Sequence, residues 1–294
     1  VRVARIACQD GLHVAARIWG DLGQSDLTPL LCLPGLSRNG ADFEDLAAAV
    51  APRPVVALDL VGRGLADRTK NTARYGPIPL LGDIRHVTAA LGLHRVVAVG
   101  TSFGGLLAMA LAVAQPTLLA GTVINDVGPE AATGGTASAG AQVWLDVVGK
   151  PAQPADWPEA VAYLRSVMPN LSIETASGWL RMAEATFEPR PDGKPGLVAQ
   201  WDAAIVEPLH AVADPPDLWA LFRAASARTL VARPMVIVRG GVSQVLTAEA
   251  MAKMQAAAPH VATVTIPGVG HAPTLGEPSA LQAIQALLTE VDGR

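Results

Sequence analysis

The pentapeptide Gly100-Thr101-Ser102-Phe103-Gly104 sets a serine between two glycines, after the apolar run Val96–Val99 and before the helical run Phe103–Ala114. A sharp strand-to-helix turn needs small flanking residues, because its central residue is strained and its neighbours crowd together. Such a turn presents the serine hydroxyl at the C-terminal edge of a sheet and at a helix N-terminus, where developing negative charge is favoured. That is the placement of a nucleophile. The competing role is an ordinary glycine-rich turn.

A serine hydroxyl is a weak nucleophile and needs a base. Of the six histidines, His271 stands out. It lies in Pro267-Gly-Val-Gly-His-Ala-Pro273, after the last strand-like run and before the last helical one, where glycines let a loop fold inward over the same sheet edge. A solvated loop histidine is the alternative. The imidazole in turn needs a carboxylate to fix its tautomer and to stabilise the cation. The chain order serine, acid, histidine leaves two places for one. Asn125-Asp126-Val127-Gly128-Pro129 offers Asp126, whereas Gly240-Gly-Val-Ser-Gln-Val-Leu246 holds no acid. Asp126 is the better candidate; a turn aspartate ahead of the next segment is its competing role.

These residues need a scaffold. Strand-like runs occur at Val1–Cys8, Leu12–Trp19, Leu30–Leu33, Val55–Leu60, Val96–Val99, Gly121–Ile124, Met235–Val238 and Val261–Ile266. The first two, joined through Gln9-Asp10-Gly11, read as an antiparallel hairpin. The rest alternate with helical patterns at Phe43–Val50, Leu80–Leu91, Phe103–Ala114, Ala248–Ala257 and Leu281–Leu288. Continuous Val/Ala/Leu strands separated by helices predict an eight-stranded, mostly parallel α/β sheet covered on both faces. Residues 130–230 break the pattern with a loose segment at Ala131–Gly140 and proline-interrupted helical pieces. They read as a helical insertion between core segments 1–129 and 231–294. Five of the six tryptophans fall there: Trp144, Trp157, Trp179, Trp201 and Trp219.

Composition excludes several classes. The 294 residues are 50% hydrophobic and 16% charged, far from disorder or a long coiled coil. A net charge of −4 is spread along the chain without a basic stripe, so nucleic acid is not expected as a partner. The uncharged stretch Val96–Asn125 is broken by glycines and Pro116 and is read as strand, turn, helix and strand rather than as a membrane span. Cys8 and Cys32 sit in strand-like runs and read as free thiols, and the N-terminal run lacks the apolar block of a signal peptide. The expectation is a cytoplasmic protein with no membrane partner. Gly62-Arg63-Gly64 lacks a dinucleotide or nucleotide-triphosphate motif, and no metal-ligand spacing occurs, so neither metal nor cofactor is expected. Arg63 is read as packing its turn.

Leu33-Pro-Gly-Leu-Ser-Arg-Asn-Gly-Ala-Asp-Phe43, Asp59-Leu-Val-Gly-Arg-Gly64, the serine pentapeptide, Asn125–Pro129 and Pro267–His271 together resemble the α/β-hydrolase superfamily. The likeness runs over nearly the whole chain and is nearest to bacterial esterase-like and carbon–carbon-bond-hydrolase-like members with a helical lid. It implies that the Leu36 and Phe103 amides form an oxyanion hole. It also marks departures. Pro34 and Ala66 replace a usual histidine and a frequent serine, and Gln244 stands where similar relatives carry an aspartate. A neutral amide cannot stabilise an imidazolium as a carboxylate does, so either Asp126 serves or the triad is broken at Gln244.

The implied activity is that of a cofactor-free serine hydrolase acting on a small ester, lactone or related carbonyl compound, apolar or aromatic, through an acyl-enzyme. Arg38, after the oxyanion loop, is a candidate contact for an anionic substrate, with a structural ion pair as its competing role. Trp144, Trp179 and Trp201 are candidate pocket walls or fasteners of the insertion. The alternatives are a non-catalytic ligand receptor, and an oxygenase, haloperoxidase-like enzyme or lyase built on the same fold.

Overall fold

The computed structural model describes residues 1–132, 135–211, 216–227 and 233–293, with the side chains of 132–138 outside the description. The strands, in chain order, are β1 (Arg2–Ala7), β2 (His13–Trp19), β3 (Leu30–Leu33), β4 (Val55–Asp59), β5 (Val96–Thr101), β6 (Leu119–Asn125), β7 (Phe187–Pro189), β8 (Leu197–Ala199), β9 (Met235–Gly240) and β10 (Ala262–Ile266). The α-helices are α1 (Glu44–Ala49), α2 (Pro77–Ala90), α3 (Phe103–Ala114), α4 (Gly135–Gly149), α5 (Trp157–Val167), α6 (Ala176–Glu184), α7 (Glu207–His210), α8 (Leu218–Ala227), α9 (Ala248–Ala257) and α10 (Pro278–Asp292).

Eight strands form one sheet in the order β1-β2-β4-β3-β5-β6-β9-β10. β2 runs antiparallel to both of its neighbours, and every pairing from β4 to β10 is parallel. The expected sheet is therefore present, hairpin included. Strands β3, β4 and β6 are buried along their whole length because both faces are covered. Alternation sorts them: Leu31, Leu33, Val56 and Leu58 point into one core with α2 and α3. Leu30, Cys32, Val55 and Ala57 point into the other, with α1 and α10. β3 lies between β4 and β5, so chain direction across the sheet reverses at β3. In open parallel sheets the crevice at such a reversal, beyond the carboxyl ends of the strands, is where ligands bind. Ser102 follows β5 and Leu36 follows β3 at that edge.

Between β6 and β9 the insertion departs from the all-helical expectation. It carries the antiparallel pair β7–β8 alongside its helices. The loose segment expected over 131–140 is helical from Gly135 onward, since Ala139, Ala141, Gln142 and Leu145 favour a helix once α4 can pack. The expected boundary at 230/231 lies outside the described residues. Backbone and side-chain bonds pin the insertion to the core: Gly64 N–H donates to Gln200 O at 2.6 Å, Asp202 N–H to Gly62 O at 2.8 Å, and Gly270 N–H to Asn170 O at 2.8 Å. Asn39 Nδ2 donates to Ala185 O at 2.7 Å. Among the described residues no helix is long and apolar enough to cross a membrane. Both cysteines are free and buried, in separate cores.

Candidate active site

Ser102 sits at the tip of the β5–α3 turn with φ 52° and ψ −119°, in the region L-residues other than glycine rarely adopt. The turn closes because its flanks are bare. A Cβ on Gly100 would lie 2.2 Å from Gly104 O, and one on Gly104 would lie 2.0 Å from Leu33 O. Ser102 N–H donates to Asn125 O at 2.8 Å, which anchors the strained residue to the neighbouring strand end.

Asp126 directly follows β6 and also has a positive φ, 56°. Its backbone N–H donates to Val238 O at 2.8 Å, and its Oδ1 accepts from Gly240 N–H at 2.8 Å. With one oxygen held by β9, the other faces the loop after β10. There Oδ2 lies 2.8 Å from His271 Nδ1. A carboxylate only accepts, so Nδ1 carries the proton and Nε2 keeps its lone pair. Nε2 lies 2.9 Å from Ser102 Oγ, which donates to it. The aspartate side chain is 0% exposed and the histidine 12%, so this relay is shielded from water. Asn125 braces it: Nδ2 donates to Thr101 Oγ1 at 3.1 Å and to Pro273 O at 2.8 Å, tying the histidine loop to the nucleophile strand. That residue was not singled out from sequence, although it stands next to Asp126 at a strand end.

Leu36 and Phe103 flank the serine. A Cβ on Gly35 would lie 3.9 Å from Ser102 Cβ, so the chain around Leu36 passes close to the hydroxyl. Phe103 opens α3, and among the described residues neither the Leu36 nor the Phe103 amide donates to a protein acceptor.

The other candidates divide. Trp144 has its ring centroid 5.7 Å from that of His271. It lines a cavity of about 380 Å³ together with Val147, Met168, Leu171, Val245 and His271. Gln244 borders the same cavity but is exposed and makes no hydrogen bond to His271, whose Nδ1 is taken by Asp126. Trp179 and Trp201 do not line this cavity. They are buried, and each indole donates to a backbone carbonyl of the insertion, Ile173 O and Val148 O respectively, at 3.0 Å. Arg38 forms an ion pair with Asp42 and donates to Thr186 of the insertion, so its charge is already matched. Arg38 thereby ties the loop after β3 to the insertion. Among the described residues no cluster of His, Cys, Asp and Glu has the arrangement to hold a metal ion.

A family model described as the alpha/beta hydrolase family matches residues 30–283. The chain is 32% identical to the 3-hydroxybutyrate-oligomer hydrolase of Cupriavidus necator, over 92% of this chain and 91% of that one. It is 27% identical to the 2-(acetamidomethylene)succinate hydrolase of Mesorhizobium japonicum, over 82% and 81% of the two chains. Among solved structures, an alpha/beta hydrolase from Novosphingobium aromaticivorans superposes with a TM-score of 0.84 at 36% identity, covering 98% of each chain. The sheet order, the strained serine after β5 and these whole-length likenesses agree: the chain is a hydrolase and belongs to the alpha/beta hydrolase family.

Proposed function

We propose that the chain is a serine hydrolase that opens a small, uncharged ester or lactone through an acyl-enzyme. The observation that carries this reading is the continuous relay from Asp126 through His271 to Ser102, with contacts of 2.8 and 2.9 Å. Ser102 Oγ attacks the carbonyl carbon as its proton passes to His271 Nε2. Asp126 stabilises the imidazolium, and the Leu36 and Phe103 amides receive the oxyanion. Collapse of the tetrahedral intermediate breaks the bond to the leaving oxygen, which takes the proton back from Nε2. Water, deprotonated by the same nitrogen, then releases the acid and restores the serine.

The cavity bears on the substrate. Because His271 hands its proton to the leaving oxygen, a cavity on the histidine's flank suits the alcohol portion. Its described lining includes no Asp, Glu, Lys or Arg side chain, which favours a neutral, apolar group. Arg38, the candidate contact for an anion, is paired with Asp42. The Cupriavidus relative is named for an oligomer of a hydroxy acid, whose units join through ester bonds, and that also favours an ester. In this reading the insertion over residues 130–230 is a lid. A receptor role drew its support from Gln244, and Asp126 at His271 Nδ1 removes that support.

Hydrolysis of p-nitrophenyl butyrate tests the proposal. The wild type is expected to show a burst of p-nitrophenol before steady turnover, and Ser102→Ala to lose kcat by up to about 10⁶. An alanine variant as active as the wild type overturns it.

A further inference from the structure

The Asp59–Gly64 turn carries a buried charge that the relay does not use. Arg63 is 0% exposed, the largest of the fully buried side chains. Its Nε donates to Leu36 O at 2.6 Å and its Nη1 to Val61 O at 2.7 Å, while Nη2 is buried with no partner among the described residues. The guanidinium carbon lies 5.8 Å from the centre of the Phe103 ring. This cation thus touches both residues whose amides the proposed mechanism assigns to the oxyanion.

No carboxylate among the described residues pairs with it. Asp59, in the same turn, is committed elsewhere: it accepts from Gly40 N–H at 2.7 Å and Leu65 N–H at 2.8 Å and lies 3.5 Å from Arg17. Burial pushes the Arg63 guanidinium down to about 9, opposed by Tyr75 and the Asp202 carboxylate. A neutral side chain would close the turn without the cost of an unpaired buried charge. An unpaired charge is useful where an opposite one appears during the reaction, because in a low-dielectric site its attraction is little screened.

We infer that Arg63 is a positioning residue of the oxyanion site: it fixes the Leu36 backbone and supplies a buried positive charge next to the Leu36 and Phe103 amides. The inference rests on the serine-hydrolase reading given above. Arg38 N–H donates to Gly35 O at 3.1 Å, closing the turn on the other side of the Leu36 amide. With Arg63 on Leu36 O and Arg38 on Gly35 O, both peptide groups of Leu36 are held and its N–H direction is set. The ground-state carbonyl is neutral and gains little from the charge. The tetrahedral oxyanion gains most, so the effect falls on the chemical step.

The test compares Arg63→Met, which removes charge and bonds, with Arg63→Lys, which keeps the charge and loses the planar fork. Each folded variant is assayed for turnover of p-nitrophenyl butyrate and for affinity toward a small alkylboronic acid, which becomes a tetrahedral anion on Ser102. Binding of the neutral ester is measured separately in a Ser102→Ala background. Arg63→Met is expected to lose about 30- to 100-fold in both kcat/KM and boronate affinity. Ester binding should stay within about threefold, and Arg63→Lys should fall between Met and wild type. Equal losses for boronate and neutral ester, or no loss for either, overturn the inference in favour of simple packing. Should Arg63→Met not fold, Arg63→Lys decides alone: about tenfold weaker boronate with unchanged ester supports it, and wild-type values for both overturn it. A folded wild type that neither turns over the ester nor binds the boronate overturns the serine-hydrolase reading, and this inference with it.

Discussion

His271 and Asp126, 145 residues apart in sequence, meet at 2.8 Å, and the aspartate's second oxygen is held by Gly240 N–H at the same distance. Both carboxylate oxygens therefore have assigned partners, and the imidazole has one orientation. An asparagine at 126 would keep its oxygen on Gly240 N–H and turn its NH₂ toward Nδ1. That moves the ring proton to Nε2, which can then no longer accept from Ser102. Asp126→Asn is predicted to lower kcat by roughly two to four decades at nearly unchanged stability. Gln244→Ala, altering an exposed residue away from Nδ1, is predicted to change kcat by less than about tenfold. Steady-state kinetics of the two variants, side by side, decides which residue is the acid.

The tryptophans are predicted to separate by role. Trp144 lies against His271 at the cavity, whereas Trp179 and Trp201 are locked by indole–carbonyl bonds. Binding of an uncharged ester to the Ser102→Ala protein should shift the emission. Trp144→Phe should abolish that shift and Trp179→Phe should keep it. Persistence of the full shift in Trp144→Phe would place the ligand elsewhere.

Glycine spacing in the elbow is a steric requirement. A Cβ at Gly100 or Gly104 meets backbone oxygen at 2.2 or 2.0 Å, an overlap no rotamer relieves. Gly100→Ala is predicted to cost at least ~1–3 kcal/mol in denaturant unfolding and to abolish turnover even where the protein folds. Full activity in that variant would contradict the elbow geometry.

The two thiols are predicted to be inert in the native state. Burial, aided by a hydrogen bond to Asp83, pushes Cys8 up to about 12, and burial alone pushes Cys32 up as well. At pH 8 neither has appreciable thiolate, so iodoacetamide should modify neither until denaturant is added. Mass spectrometry after brief alkylation reads the outcome, and rapid native modification of Cys32 would contradict its burial in β3 beneath α1 and α10.

Much of this arrangement was legible because it is local. The elbow needs only a strand, two glycines and a helix in sequence, and the parallel sheet follows from apolar runs such as Leu30–Leu33 and Val96–Val99. Asp126 and His271 were legible as strand-end and loop residues of the same sheet edge. The remainder depends on partners distant in sequence. Three-residue strands such as β7, ending at Pro189, carry no periodic signal and exist through pairing inside the insertion. Nothing in the composition distinguishes Trp144 from Trp179, since only tertiary packing brings one ring to His271. Arg38 did carry a readable signal: Asp42 stands four residues on, the spacing of a helical ion pair. Arg63 carried none, because an unpaired charge is defined by what fails to approach it.

In the proposed function Ser102 is a nucleophile activated by His271 and Asp126. Labelling with a fluorophosphonate at neutral pH, followed by peptide mass spectrometry, is the decisive measurement. One adduct is expected, on the peptide containing Ser102, absent in Ser102→Ala and formed at least ~100-fold more slowly in His271→Ala. An adduct forming at an undiminished rate in Ser102→Ala, or a folded wild type that takes none, would contradict it.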